Sequence, residues 1–329
     1  MPIAAAGFEI SAWSQAHGSS AAAALAQSDL GVRSGLATSE FTEILAQSVA
    51  VAQGCAVVGT HAGRYAGHVV IEPSPSAMWQ GTWWTLAHSH VASSSHELRA
   101  MWAAAAQSAA NQGARDFYVN VAANDPSLPA WHSLSFGIQH VVATLELAKF
   151  DEQRVRVTAG SELHEAGPLI GRATVKDAPA LARLEALLPA ALAESPVFSP
   201  VSTQPQAEAE REWRETLEDE AFITMVARAK TDIVGFALLC SAEKSSLHSG
   251  LMRLPGSATL AQVNVEPAWR RRGLGAALAT QAIDVGLDSG FTAVVTDWRS
   301  TNIAADAAWR ALGFVPTAYR LQRVVGAHG

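Results

Sequence analysis

The sequence predicts an α/β (α+β) chain of two domains in tandem, on three observations. Strand-like and helix-like patterns alternate in the same order in both halves of the 329 residues. Residues match between the halves as well. Thr85-Leu-Ala-His-Ser-His-Val91 lies over Thr259-Leu-Ala-Gln-Val-Asn-Val265 at an offset of 174. Asn124, Ala130-Trp131, Leu134 and Phe136 lie over Asn302, Ala308-Trp309, Leu312 and Phe314 at an offset of 178. Matches at corresponding places in the element order mark an internal duplication. The third observation is residues 151–167, a polar stretch closed by glycine, which reads as a linker between domains at 1–150 and 168–329.

Taken in order, residues 6–12 form a first strand, and alanine-rich helices follow near 20–30 and 38–50. Gly54–Thr60 and Tyr65–Ile71 read as two strands of a hairpin turning at Gly63. Gly81–Val91 reads as one further strand, with His88 and His90 alternating onto one face. That spacing can serve a metal, but no third ligand is specified, so none is expected. A long helix over 96–112 carries Leu98, Trp102 and Ala105 on one face. Phe117–Val121 is a strand, and Pro126–Leu134 a short helix.

In the second half Gly171–Val175 is a short strand, and Asp177 caps the next helix, with Pro179 in its first turn. Leu181, Leu184 and Leu188 stand at core spacing, and Gln204–Asp219 is a charged surface helix. Phe222–Arg228 and Ile233–Cys240 form a hairpin around Lys230-Thr-Asp232. A polar stretch, Ser241–Gly256, precedes the strand at 258–265.

That strand runs into Glu266-Pro-Ala-Trp-Arg270-Arg271-Arg272-Gly273-Leu274-Gly275-Ala276 and an alanine-rich helix. Glycines at such a turn let backbone N–H groups converge beside the positive end of the helix dipole, a site suited to pyrophosphate. The spacing is neither the Rossmann fingerprint nor a P-loop. At the positions of Arg270, Gly273 and Gly275 the first copy has His96, Arg99 and Met101, and the side chains at both glycine positions, Arg99 and Met101, are expected to fill the phosphate space.

Val265-x-Pro267, Arg270-x-x-Gly273-x-Gly275 and Asn302-x-x-Ala305-x-x-x-Trp309-x-x-x-Gly313-Phe314 together resemble the GNAT superfamily of acyl-CoA-dependent N-acyltransferases, over residues 168–329. Trp309 replaces the family's frequent Tyr. The resemblance implies a mixed, mostly antiparallel sheet flanked by helices in each copy. It is a tandem arrangement, of which mycothiol synthase is one type, though no residue points to that enzyme. Acetyl-CoA is the implied cosubstrate and an amine the acceptor. Val263 and Val265 would offer main-chain groups to the thioester and pantetheine, and the Val263 N–H would polarise the thioester. Arg270, Arg271, Arg272, Gly273, Leu274, Gly275 and Ala276 would hold the pyrophosphate, with Asn302, Ala305 and Trp309 along the arm. Glu218 is a candidate base, and Tyr319 and Ser300 are candidate proton donors. A noncatalytic acyl-CoA-binding or regulatory protein is the alternative, because the Tyr and an evident base are missing.

Composition bounds the rest. A chain 49% hydrophobic and 16% charged buries a substantial core, and a net charge of −7 argues against nonspecific nucleic-acid binding. Cys55 and Cys240 sit in apolar runs and read as small core residues. Neither a basic signal region nor a long apolar span appears, so a soluble cytoplasmic protein without membrane contact is expected. A homodimer stays open.

Overall fold

A computed structural model describes residues 7–74, 79–150, 168–199, 204–245 and 254–326. The expected linker, 151–167, and part of the polar stretch 241–256 lie outside the described residues. The chain divides into two compact units, Met1–Val141 with Pro316–Gly329, and Val142–Val315.

Unit 1 opens with β1 (Phe8–Ala12), α1 (Gly18–Ala26), α2 (Asp29–Ser34) and α3 (Thr38–Val51). The hairpin β2 (Ala56–His61) and β3 (Arg64–Val70) turns at Gly63, whose φ of 73° needs glycine. After the short β4 (Glu72–Pro73) come β5 (Thr82–Thr85) and β6 (His90–Ala92). The single strand expected over Gly81–Val91 is thus two. A turn closed by Ser89 N–H donating to Leu86 O (2.8 Å) separates them, and His88 falls in that turn. β5 pairs in parallel with β7 (Asp116–Ala122), whereas β6 pairs antiparallel with β3. Between them lie α4 (Ser95–Asn111) and, after β7, α5 (Leu128–Ser133). Leu98, Met101, Trp102 and Ala105 of α4 enter a core with Phe8, Phe117, Trp131 and Phe136.

Unit 2 repeats this order. β8 (Gly137–Glu146) passes from one unit into the other. β9 (Leu169–Arg172), β10 (Phe222–Ala229), β11 (Asp232–Ser241) and β12 (Ser257–Val265) pair antiparallel in sequence. β13 (Ala293–Arg299) pairs in parallel with β12. The sheet order in unit 2 is β8-β13-β12-β11-β10-β9. Both units therefore hold a mixed, mostly antiparallel sheet flanked by helices.

The helices of unit 2 differ from expectation in three places. α6 (Ala178–Glu185) and α7 (Leu187–Ala193) replace one longer helix, because Pro189 has no N–H to give the Glu185 carbonyl. Leu181 and Leu184 are fully buried, while Leu188 belongs to α7, which buries no residue. Asp177 does not cap α6. Its Oδ2 accepts from Thr174 N–H (2.7 Å), and its two oxygens take the Arg228 guanidinium at 3.0 and 2.7 Å. Burial alone would raise this carboxyl; the Arg228 fork and Thr174 outweigh it and hold it lower. α8 (Gln206–Glu218) is charged outside but buries Ala209 and Trp213. α9 (Leu274–Asp288) follows β12, and α10 (Ile303–Ala311) follows β13.

β14 (Val315–Val324), expected with residues 168–329, ladders instead onto β7, from Ala318↔Ala122 to Val324↔Asp116. Its fully buried Leu321 packs with Phe117 and Val119 in the unit 1 core. That burial ties the last strand to the first unit. No helix among the described residues is long and apolar enough to cross a membrane.

Unit 1 also encloses a polar cluster. His68, 0% exposed, accepts at Nδ1 from the Tyr65 hydroxyl (2.7 Å) and donates from Nε2 to His88 O (3.0 Å). His88 Nε2 lies 2.9 Å from Ser48 Oγ. Burial pushes His68 down to about 3 and His88 down to about 4, and lowers His90 too. In the unfolded chain each takes a proton near pH 6.5. Between that value and the depressed native values the unfolded state binds more protons, so stability decreases as the pH is lowered. The free energy of unfolding should drop as pH is lowered from 7 to 5, by roughly 1.4 kcal/mol per unit below 6.5 for each of His68 and His88, and the urea midpoint should fall with it. A midpoint that does not move over that range would contradict the assignment.

Candidate functional site

The site grows from the parting of two parallel strands. β12 and β13 pair from Ser257↔Ala293 to Thr259↔Val295, and the Thr296 hydroxyl then donates to Leu260 O (3.0 Å). At this point the β11–β12 register shifts between Leu238 and Leu239, a bulge that turns β12. Beyond it, Glu266 N–H donates to Val234 O (2.9 Å) on β11. Antiparallel alternation then directs the main-chain groups of Val263 and Val265 to the opposite edge, away from β11. The Val265 carbonyl there accepts from Arg270 Nε (2.9 Å).

The glycine turn continues from this edge. Arg271 (φ 58°) and Gly273 (φ 78°) are left-handed, and Gly273 is the N-cap of α9 with no side-chain cap bond. The first turn of α9 carries no acidic residue. The first N–H groups of a helix have no partner within it, so those of Leu274, Gly275 and Ala276 point out of the helix end. A Cβ on Gly273 would meet no protein atom within 4 Å, while one on Gly275 would lie 3.7 Å from Val265 and 3.8 Å from Val263. Val263 and Val265 thus face α9. Arg270, Arg271 and Arg272 are exposed around the helix start, Arg272 lying 5.7 Å over the Trp269 ring. The nearby Glu266 carboxylate is held by Arg183 at 2.6 Å, which offsets its charge beside the turn.

The corresponding part of unit 1 is closed. β6 ends at Ala92 and α4 begins at Ser95, so residues 93–94 stand where unit 2 has 266–273. Ser94 Oγ accepts from Glu97 N–H (3.3 Å), and the first turn carries Glu97, whose carboxylate takes His61 at 2.6 Å. The capped, acidic helix start opposes a phosphate. Met101 does not fill a phosphate space, as the sequence offset implied. It is fully buried against Gly59 and Gly67, and the missing loop rather than a side chain closes the turn. Between β6 and β7, His90 Nε2 bridges to Asn120 O (3.1 Å), with the fully buried Trp131 edge-on at 5.3 Å.

Helix α10 contrasts with α5 in the same way. α5 buries Ala130 and Trp131, whereas α10 buries no residue. Trp309 is half-buried and meets Phe314 edge-on at 5.8 Å. Asn302 Oδ1 accepts from Ala305 N–H (3.1 Å), capping α10, so any ligand contact of this side chain falls to Nδ2. Ser300 lies just past β13 in unit 2, near Asn302. Tyr319, on β14, packs against the unit 1 core. Glu218 ends α8 exposed to solvent.

Sequence reasoning missed the carboxylate on the other face of β12. Glu185, at the end of α6, accepts from Trp213 Nε1 (2.7 Å) and from Gln262 Nε2 (3.0 Å). Gln262 and Asn264 share that face, Asn264 lying opposite Phe236, which packs edge-on to Trp213 at 5.0 Å. Among the described residues, Gln262 Oε1 and Asn264 Nδ2 are buried without a hydrogen-bond partner. Three elements supply this group, so spacing in the sequence could not reveal it. Among the described residues no cluster of three or more His, Cys, Asp or Glu is arranged to hold a metal.

Comparison with known proteins agrees with this geometry. Residues 188–314 match the model of the acetyltransferase (GNAT) family. No curated protein matches the sequence. A GCN5-related N-acetyltransferase from Sphaerobacter thermophilus superposes over 98% of this chain and 97% of its own, with a TM-score of 0.55 at 16% identity. A tandem GNAT protein from the clavulanic acid biosynthesis pathway is similar over 98% of this chain and 100% of its own, with a TM-score of 0.49 at 15% identity. Residues 188–314 of the second half therefore match the GNAT acetyltransferase family, and the chain as a whole shares the fold of a GCN5-related N-acetyltransferase, with the same element order in both units.

Proposed function

We propose that unit 2 is an acyl-CoA-dependent N-acetyltransferase, moving acetyl from acetyl-CoA to a primary amine, and that unit 1 is a degenerate copy that binds no CoA. One contrast carries this reading: α9 starts uncapped at a left-handed Gly273 beside a free strand edge, and α4 starts capped by Ser94. Acetyl-CoA supplies the activated acetyl carbon. The N–H groups of Leu274, Gly275 and Ala276 hold the pyrophosphate, with Arg270, Arg271 and Arg272 adding charge. The main-chain groups of Val263 and Val265 hold the arm, and the Val263 N–H polarises the thioester carbonyl. Asn302 Nδ2, Ala305 and Trp309 border the arm from α10.

The acceptor nitrogen attacks directly. It bonds to the acetyl carbon and the carbon–sulfur bond breaks. Of the two protons an ammonium must lose, one ends on the sulfur and one in solvent. A thiolate is a good leaving group at neutral pH, its pKa lying near ~8.5, so the indole at Trp309 need not donate a proton. Ser300, two residues before Asn302, remains the proposed hydroxyl donor.

Isothermal calorimetry should give one acetyl-CoA per chain, and Gly273→Glu should abolish binding by adding a strained side chain and a negative charge. A stoichiometry near two, or undiminished binding in the variant, would overturn the reading. Saturable binding with no amine-dependent release of CoA across an amine panel would instead favour the noncatalytic binding protein.

Asn302 separates two roles. Asn302→Ala should cost about 1 kcal/mol of stability by removing the α10 cap. Asn302→Asp keeps a capping oxygen, so stability should hold while acetyl-CoA affinity falls with the loss of Nδ2. Equal affinity for the Asp variant and the parent would remove Asn302 from the binding site.

A further inference from the structure

We infer that Glu185, Gln262 and Asn264 form the acceptor subsite, and that the acceptor is a primary amine carrying a hydrogen-bond-accepting oxygen about two strand residues from its nitrogen. This rests on the reading of unit 2 as an amine acetyltransferase and names the class of its substrate. Both Glu185 oxygens are held, but by neutral donors, the Trp213 indole at 2.7 Å and the Gln262 amide at 3.0 Å. None of the ion pairs among the described residues includes Glu185. A half-buried carboxylate so placed is satisfied as a hydrogen-bond acceptor and still lacks a counter-charge, which an ammonium supplies.

Two orphaned atoms extend the site along the same face. Gln262 Oε1 is buried and unpartnered, and its amide nitrogen already points at Glu185. The oxygen therefore has no donor to take, and an N–H of the amine is a fitting one. Asn264 is 5% exposed and its Nδ2 is also unpartnered, so it requires an acceptor oxygen. Residues i and i+2 of a strand stand about 6.6 Å apart on one face, which sets the span between amine and oxygen. The side chains of Val263 and Val265 face α9, so the acceptor subsite and the glycine turn lie on opposite faces of one strand. Orphaned buried amides are costly in a folded protein and call for a partner. The equivalents in unit 1, His88 and His90, are both paired within the protein, to Ser48 and to the Asn120 carbonyl. Among the described residues, the unpartnered amide atoms at these two positions are in unit 2.

The test compares two amines of equal heavy-atom count, 4-aminobutan-1-ol and pentylamine, in the full chain. The kcat/KM for the amino alcohol should exceed that for pentylamine by about tenfold or more, as expected when a buried donor is left unmatched. Asn264→Leu should reduce that ratio to near one. Glu185→Gln should raise KM for both amines tenfold or more while the acetyl-CoA Kd stays unchanged, which also shows that the variant folds. Equal rates for the two amines in the parent protein, or an unaltered KM in Glu185→Gln, would overturn the assignment. Acetyl-CoA binding without transfer to either amine would overturn it too, leaving the CoA site standing. Where acetyl-CoA itself fails to bind, the transferase reading falls, and calorimetric titration of 4-aminobutan-1-ol into parent and Glu185→Gln decides this subsite alone: binding lost in the variant supports it, and no binding to the parent contradicts it.

Discussion

Backbone groups that leave a ladder must find other partners, and the parting of β12 from β13 beyond Thr259 creates that demand. In unit 1 the protein meets the same demand itself. His90 reaches across to the Asn120 carbonyl, Trp131 fills the space beside it, and α5 packs down with Ala130 and Trp131 buried. In unit 2 the edge at Val263 and Val265 is met, among the described residues, by a bond from Arg270 to the Val265 carbonyl, and α10 buries no residue. An uncapped helix start at Gly273 continues the edge. One chain therefore contains both a closed and an open form of a single geometry.

β12 also divides the chemistry of unit 2 between its faces. Val263 and Val265 lie under the first turn of α9, where three arginines gather and Glu266 is offset by Arg183. Gln262 and Asn264 lie on the face of α6 and α8, where the one carboxylate in contact is held by neutral donors. Alternation along a strand keeps the side chains beside the arginines apart from those beside the carboxylate over very short distances. In the proposed reaction a phosphate-bearing donor and an amine acceptor then approach one strand without competing for the same charges.

The glycine turn, the Asn302 helix start and the duplication were legible in the sequence because each is a local constraint. A left-handed N-cap needs Gly273, and a capped α10 needs a short polar side chain at 302. What was not legible depends on distant partners. Gly81–Val91 has continuous strand chemistry, yet it splits because His90–Ala92 pairs with β3 and Thr82–Thr85 with β7. β14 reads as the final strand of the second domain, but its pattern does not name its neighbour, and Leu321 buries in the first. The offset that placed Met101 over Gly275 assumed a loop of equal length, whereas unit 1 lacks it and seals α4 with Ser94. Glu185 reads as the end of a helix until α6, α8 and β12 are folded together. Trp309 is half-buried with its ring edge-on to Phe314, a contact that its residue type alone does not reveal.

Amide hydrogen exchange, with and without acetyl-CoA, tests the contrast between the two units most directly. Ligand should slow exchange across residues 263–276, above all in the first-turn amides of Leu274, Gly275 and Ala276, and leave residues 90–97 unchanged. Protection appearing over 90–97, or no change at the start of α9, would contradict the account of one open and one closed copy.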